Sequence, residues 1–63
     1  MEAEHAVLSS ASTTLGEVAD RIERLATALH EQREEAVASD LFEVERTVRM
    51  ALRRLDSVVR RIG

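Results

Sequence analysis

The chain contains no cysteine, no proline, no tryptophan and no tyrosine; its one aromatic residue is Phe42 and its two glycines are Gly16 and Gly63. Each absence removes a class of structure or chemistry. Without cysteine there are no disulfides, no zinc–thiolate sites and no thiol nucleophile. With no proline and so little glycine and aromatic content, sheets and tight turns have few of the residues that build them. No run of about 18 apolar residues occurs, so no segment reads as a membrane-spanning helix. The opening "MEAEHAVLSSAS" is acidic where a secretory signal is basic, and a cytoplasmic protein is the expectation. Lysine is missing too, so all nine basic residues are arginine.

What is present is 63 residues dominated by strong helix formers, with a net charge of −3. The expected fold class is all-α. A chain this short buries too small a share of its surface to be comfortably stable alone. Small domains compensate with disulfides, a metal or association. The first is excluded, and His5 and His30 offer little for the second. Association is the device left.

The apolar positions carry a helical period. Leu15, Val18, Ile22, Leu25 and Leu29 follow a 3-4-3-4 spacing, and so do Leu41, Val44, Val48, Ala51, Leu55, Val58 and Ile62. Both read as heptad seams that face a partner helix. The two are out of phase by an offset that is neither a stutter nor a stammer, which disfavours one continuous coiled coil. Thr14 and Glu17 have capping-box spacing, as do Asp40 and Glu43, with Ser39 as a second possible cap. These signals predict a frayed or partly helical segment at 1–13 and a first helix at about 14–37. A turn at about 38–40 and a second helix at about 41–62 complete an antiparallel helical hairpin, a two-helix coiled coil.

Folded about residue 40, the hairpin pairs Ile22 with Val58, Leu25 with Leu55, Leu29 with Ala51 and Val18 with Ile62. Gln32 then meets Val48 as the one polar seam position. Beside this seam lies an apolar flank of Ala19, Ala26, Leu52 and Val59, wider than a two-helix seam needs. A second hairpin covering that flank gives a homodimeric four-helix bundle. Its expected interface is Ala19, Ala26, Leu52 and Val59, with Leu29, Val48 and Leu55.

Charge is strongly segregated. Residues 46–63 carry six arginines against Asp56, while residues 1–45 carry eleven acids against three arginines. The plainest reading is a solvated face supported by Glu17–Arg21, Asp20–Arg24, Glu45–Arg49 and Asp56–Arg60 pairs one turn apart. Arg21, Arg53, Arg54, Arg60 and Arg61 are the candidates for holding an acidic protein partner or an anion. An alternative is a small nucleic-acid-associated protein that contacts phosphates through the second helix. Against it stand the net negative charge and the lack of aromatic platforms for stacking bases. A membrane-surface role is disfavoured, because the first helix claims the apolar face.

Catalytic chemistry has no candidate. Glu2 and His5 have the Glu-x-x-His spacing of di-iron bundles, but the motif occurs once and without the further glutamates such sites require. His30 and Glu34 stand one turn apart on a face expected to be wet. There is no phosphate loop and no nucleophile elbow. No cofactor, metal or catalytic residue is expected. The sequence points to a non-enzymatic protein–protein interaction module, a small regulatory or adaptor subunit that acts as a homo-oligomeric hairpin.

Overall fold

The computed structural model describes all 63 residues and contains two helices, α1 (Glu2–Glu31) and α2 (Glu35–Ile62). They lie against each other along their full length as an antiparallel hairpin, a rod of 47 × 14 × 10 Å. The all-α hairpin expected from the periodicity is the observed architecture. Its turn, its register and its buried face differ from expectation.

The turn falls at residues 32–34 rather than 38–40. α1 ends in a Schellman motif. The Glu34 amide donates to the Leu29 carbonyl at 2.9 Å and the Arg33 amide donates to the His30 carbonyl at 3.0 Å. That motif needs a residue in the left-handed region, and Arg33 supplies it at φ 65°. Glycine is the usual occupant, because a side chain there crowds the following carbonyl. An arginine at this position leaves no turn signal in the sequence.

Asp40 and Ser39 consequently lie inside α2, and Thr14 and Glu17 lie inside α1, so neither capping box starts a helix. The first helix also takes in residues 2–13, the segment expected to be frayed. Long-range packing overrides the weak helix propensity of "SSASTT" here. The Ser12 hydroxyl donates to the Asp56 carboxylate across the hairpin. Thr13 turns its hydroxyl back to the Ser9 carbonyl at 3.3 Å, a local bond compatible with helix.

The early turn changes the register. Ser12 meets Asp56, the Gly16 backbone lies beside Leu52, and His5 lies against Gly63. Facing residue numbers therefore add to 67 or 68 instead of 80, and the pairings of Ile22 with Val58 and Leu25 with Leu55 do not form. The burial pattern shows which face is inside. On α1 it is His5, Leu8, Ser12, Leu15, Ala19, Ile22, Ala26 and Leu29; on α2 it is Ala38, Leu41, Glu45, Val48, Leu52, Leu55, Val59 and Ile62. Each set keeps strict 3-4 spacing, with His5, Ser12, Ala19, Ala26, Ala38, Glu45, Leu52 and Val59 at a and the others at d.

Only three residues are fully buried, and all are alanines: Ala19, Ala26 and Ala38. Small side chains at a let the helix axes approach closely. In this register Ala19 lies level with Val48 and Ala26 with Leu41, so small residues stand opposite large ones. By bulk alone the inner path would run through Val18 and Leu25, with the alanines outside. The fold does the reverse. Gln32, expected as a polar seam residue, is exposed at the end of α1.

Two backbone positions are suboptimal. Gly16 sits in a helix interior, and a Cβ there would make an ordinary 3.6 Å contact with Leu52. Gly16→Ala is expected to raise stability by about 0.5–1 kcal/mol. Arg33→Gly is expected to raise it by about 1 kcal/mol by relieving the left-handed strain. Thermal melts at fixed protein concentration read each as a higher midpoint, by about 4–8 °C per kcal/mol for a domain of this size. Ala26→Leu, by contrast, overpacks the seam and lowers stability by about 1–3 kcal/mol. A neutral Ala26→Leu would contradict the observed face.

Candidate functional site

With the seam lettered a and d, the two flanks of the hairpin are the g and e positions. The g flank is apolar on both helices, with Val18 and Leu25 on α1 and Val37, Val44, Ala51 and Val58 on α2. Leu25, Val37 and Val44 are 53%, 49% and 46% exposed. Ala51 is exposed, and Val18 and Val58 are half-buried. These side chains form a stripe along one side of the rod. The half-buried d residues next to it, Leu29, Val48 and Leu55 among them, extend its apolar character toward the seam. Scattered exposed apolar residues need no explanation, but these share one flank of the hairpin on both helices.

The expected interface is thus partly corrected. Ala19 and Ala26 are sealed inside the hairpin and present nothing to a partner. Leu52 and Val59 lie on the same intrachain seam, with Leu52 packed against α1 at Gly16. Leu29, Val48 and Leu55 are seam residues as well, yet they border the outer stripe. Val18, Leu25, Val44, Ala51 and Val58, expected inside, are the residues left outside. The amphipathic stripe is wider than one seam, as the sequence indicates, but its inner and outer halves are exchanged.

Apart from Phe42, the e flank is polar and internally paired. Glu45 occupies an a position with its side chain only 12% exposed, and its carboxylate accepts from Arg49 Nε at 2.6 Å. The Arg49 guanidinium also reaches Asp20 on α1 at 3.1 Å and lies 3.8 Å from Glu23. Bonds to Glu45 and then Asp20 hold the Arg49 pKa above its already high ordinary value. A raised folded-state pKa means that the arginine's side of the pairing is fully charged below the ordinary arginine value and is lost only in stronger alkali. This cluster ties α2 to α1 and answers the carboxylate that the register places on the seam.

The arginines therefore separate into groups. Arg49 is committed to the hairpin, and Arg46 pairs with Glu43 at 3.2 Å. Of the pairs expected one turn apart, Glu45–Arg49 forms, while Glu17–Arg21, Asp20–Arg24 and Asp56–Arg60 do not approach within 4.0 Å. Arg21, Arg53, Arg54, Arg60 and Arg61 are all exposed and have no carboxylate within that distance. Arg53 and Arg60 fall at b, on the polar side. Arg21, Arg54 and Arg61 fall at c, directly bordering the apolar stripe.

Other surface features are slight. Phe42, Glu45, Arg46, Arg49 and Arg53 line an open groove, but two of its three arginines are already paired. Met1, Glu2, His5, Ile62 and Gly63 line another at the open end of the rod. No group of three or more His, Asp or Glu side chains is placed to hold a metal ion, and His5 and His30 stand far apart along α1. No helix is long and apolar enough to cross a membrane.

The Glu45–Arg49 cluster can be tested by unequal substitutions. Arg49→Met strands the Glu45 carboxylate on the seam and is expected to lower the melting midpoint. Glu45→Leu fills the seam with an apolar side chain and leaves the midpoint unchanged or higher. Equal losses from the two changes would show that the pair itself stabilises the hairpin.

Compared with known proteins, the chain matches no family model, and no curated protein or solved structure matches it.

Proposed function

We propose that the protein is a non-enzymatic protein–protein interaction module, a small regulatory or adaptor subunit that works as a homo-oligomeric helical hairpin. The observation that carries this reading is the apolar stripe along one side of the rod, exposed at Leu25, Val37, Val44 and Ala51 and half-buried at Val18 and Val58. A hairpin whose fully buried core is three alanines has little hydrophobic stabilisation of its own. Covering the stripe adds the apolar burial that the single chain lacks. A second copy is the simplest cover, because the α2 side of the stripe is apolar from Val37 to Val58 and can pack on itself about a two-fold axis. The product is a four-helix bundle.

A second reading, in which the arginines of α2 lie along a nucleic-acid backbone, draws on the unpaired state of Arg53, Arg54, Arg60 and Arg61. The stripe weighs more, because an apolar face has no role against phosphates.

Sedimentation equilibrium is expected to give a two-chain mass, with helicity that falls on dilution. Val44→Asp with Val58→Asp should shift the mass to one chain and lower the melting midpoint. Met50→Asp, at an equally exposed position on the far side of α2, should leave the dimer intact. A stably helical monomer, unaffected by the paired aspartates, would overturn the proposal. Salt-sensitive retardation of a DNA or RNA duplex by that monomer, lost in Arg53→Glu with Arg60→Glu, would favour the second reading.

A further inference from the structure

Given that reading, two hairpins can pack in two directions. Turns side by side or turns at opposite ends would both cover the stripe. With turns together, α1 lies on α2 of the second copy and Leu25 is level with Val44. With turns apart, α2 lies antiparallel on α2, with Val37 level with Val58 and Val44 with Ala51. Apolar matching does not separate the two.

Charge does. The turn half of the rod, residues 23–46, carries seven acids against Arg24, Arg33 and Arg46, a net −4. The open half, residues 1–22 and 47–63, carries six arginines against five acids, a net +1. On α2 the segregation is sharper. Residues 34–43 hold Glu34, Glu35, Asp40 and Glu43 with no base, whereas residues 53–63 hold four arginines against Asp56. Packing turns together sets two acidic ends beside each other. Packing them apart lays the basic end of each α2 along the acidic start of the other.

We infer that the apolar stripe is the interface for a second copy of this chain packed with its turn at the opposite end, and that the acidic partner of Arg54 and Arg61 is the turn end of that copy. With the axis at the middle of the α2 stripe, Arg54 comes level with Asp40 of the second copy and Arg61 with Glu34. All four side chains are exposed and have no oppositely charged group within 4.0 Å in the hairpin. Arg54, Arg61 and Asp40 share the c position, the row that borders the stripe. Such rim charges steer register and orientation more than they add affinity. One like-charge meeting opposes the arrangement. Arg21 comes near Arg21 of the second copy at mid-rod, with Glu17 and Asp20 of each chain close by in sequence.

The chain's lack of cysteine makes the test direct, since Gln32→Cys places a single spin label at the exposed turn. Turns apart predicts a label separation approaching the 47 Å length of the rod. Turns together predicts roughly 20 Å or less, about two helix spacings. A two-chain mass with the long distance supports the inference. A two-chain mass with the short distance overturns the orientation and leaves the association reading standing. A one-chain mass overturns both.

Arg54→Glu with Arg61→Glu should weaken dimerisation at low salt by at least about tenfold, the effect shrinking as salt screens the charges. Adding Asp40→Arg and Glu34→Arg to the same chain should restore it. Association unchanged by the reversal, or not restored by the exchange, would overturn the assigned pairs.

Discussion

The contact on which the rest depends is the close approach of α1 and α2 over alanine. Ala19, Ala26 and Ala38 have no exposed surface or almost none, and no larger side chain reaches that state. Once Ala19, Ala26 and Ala38 take a positions, the helices are rotated so that Leu15, Ile22 and Leu29 fill the d row, and Val18 and Leu25 turn to the flank. The register, the free stripe and the place of the acidic Glu45 on the seam all follow from this one rotation.

A narrow seam of this kind makes a thin rod. Burial of small residues brings backbones close but removes little apolar area from water, so the gain per contact is modest. The polar cluster of Arg49, Asp20, Glu23 and Glu45 and the Ser12–Asp56 bond then serve mainly to define alignment. They sit on one flank only. The opposite flank, with no charged network, is where the unused apolar surface lies, and the asymmetry gives the rod a dry side and a wet side.

The arginine-rich end of the chain acquires a different meaning in this geometry. Read along the sequence it is a basic run; on the rod it divides into residues that pair internally, residues on the wet side and residues that edge the stripe. Arg54 and Arg61 are of the last kind. Their counterparts in charge lie at the turn, at the far end of the same molecule, and a single hairpin cannot bring the two ends together.

Much of the fold was legible because helix is a local preference and 3-4 spacing a local pattern. The absence of cysteine, proline and most glycine, with the period of Leu15, Ile22, Leu29 and Leu41, Val48, Leu55, Ile62, determined two packed helices and an apolar face wider than one seam. The turn was not legible, because Arg33 holds the left-handed conformation that glycine would have announced. Nor was the choice between Val18 with Leu25 and Ala19 with Ala26 as the inner row. Each helix taken alone satisfies either, and bulk favours the first. That choice belongs to the tertiary structure, since only with both helices in place does the shape of one surface select the small residues of the other. The same decision left the valines and Leu25 outside, and so determined which face the protein has to offer.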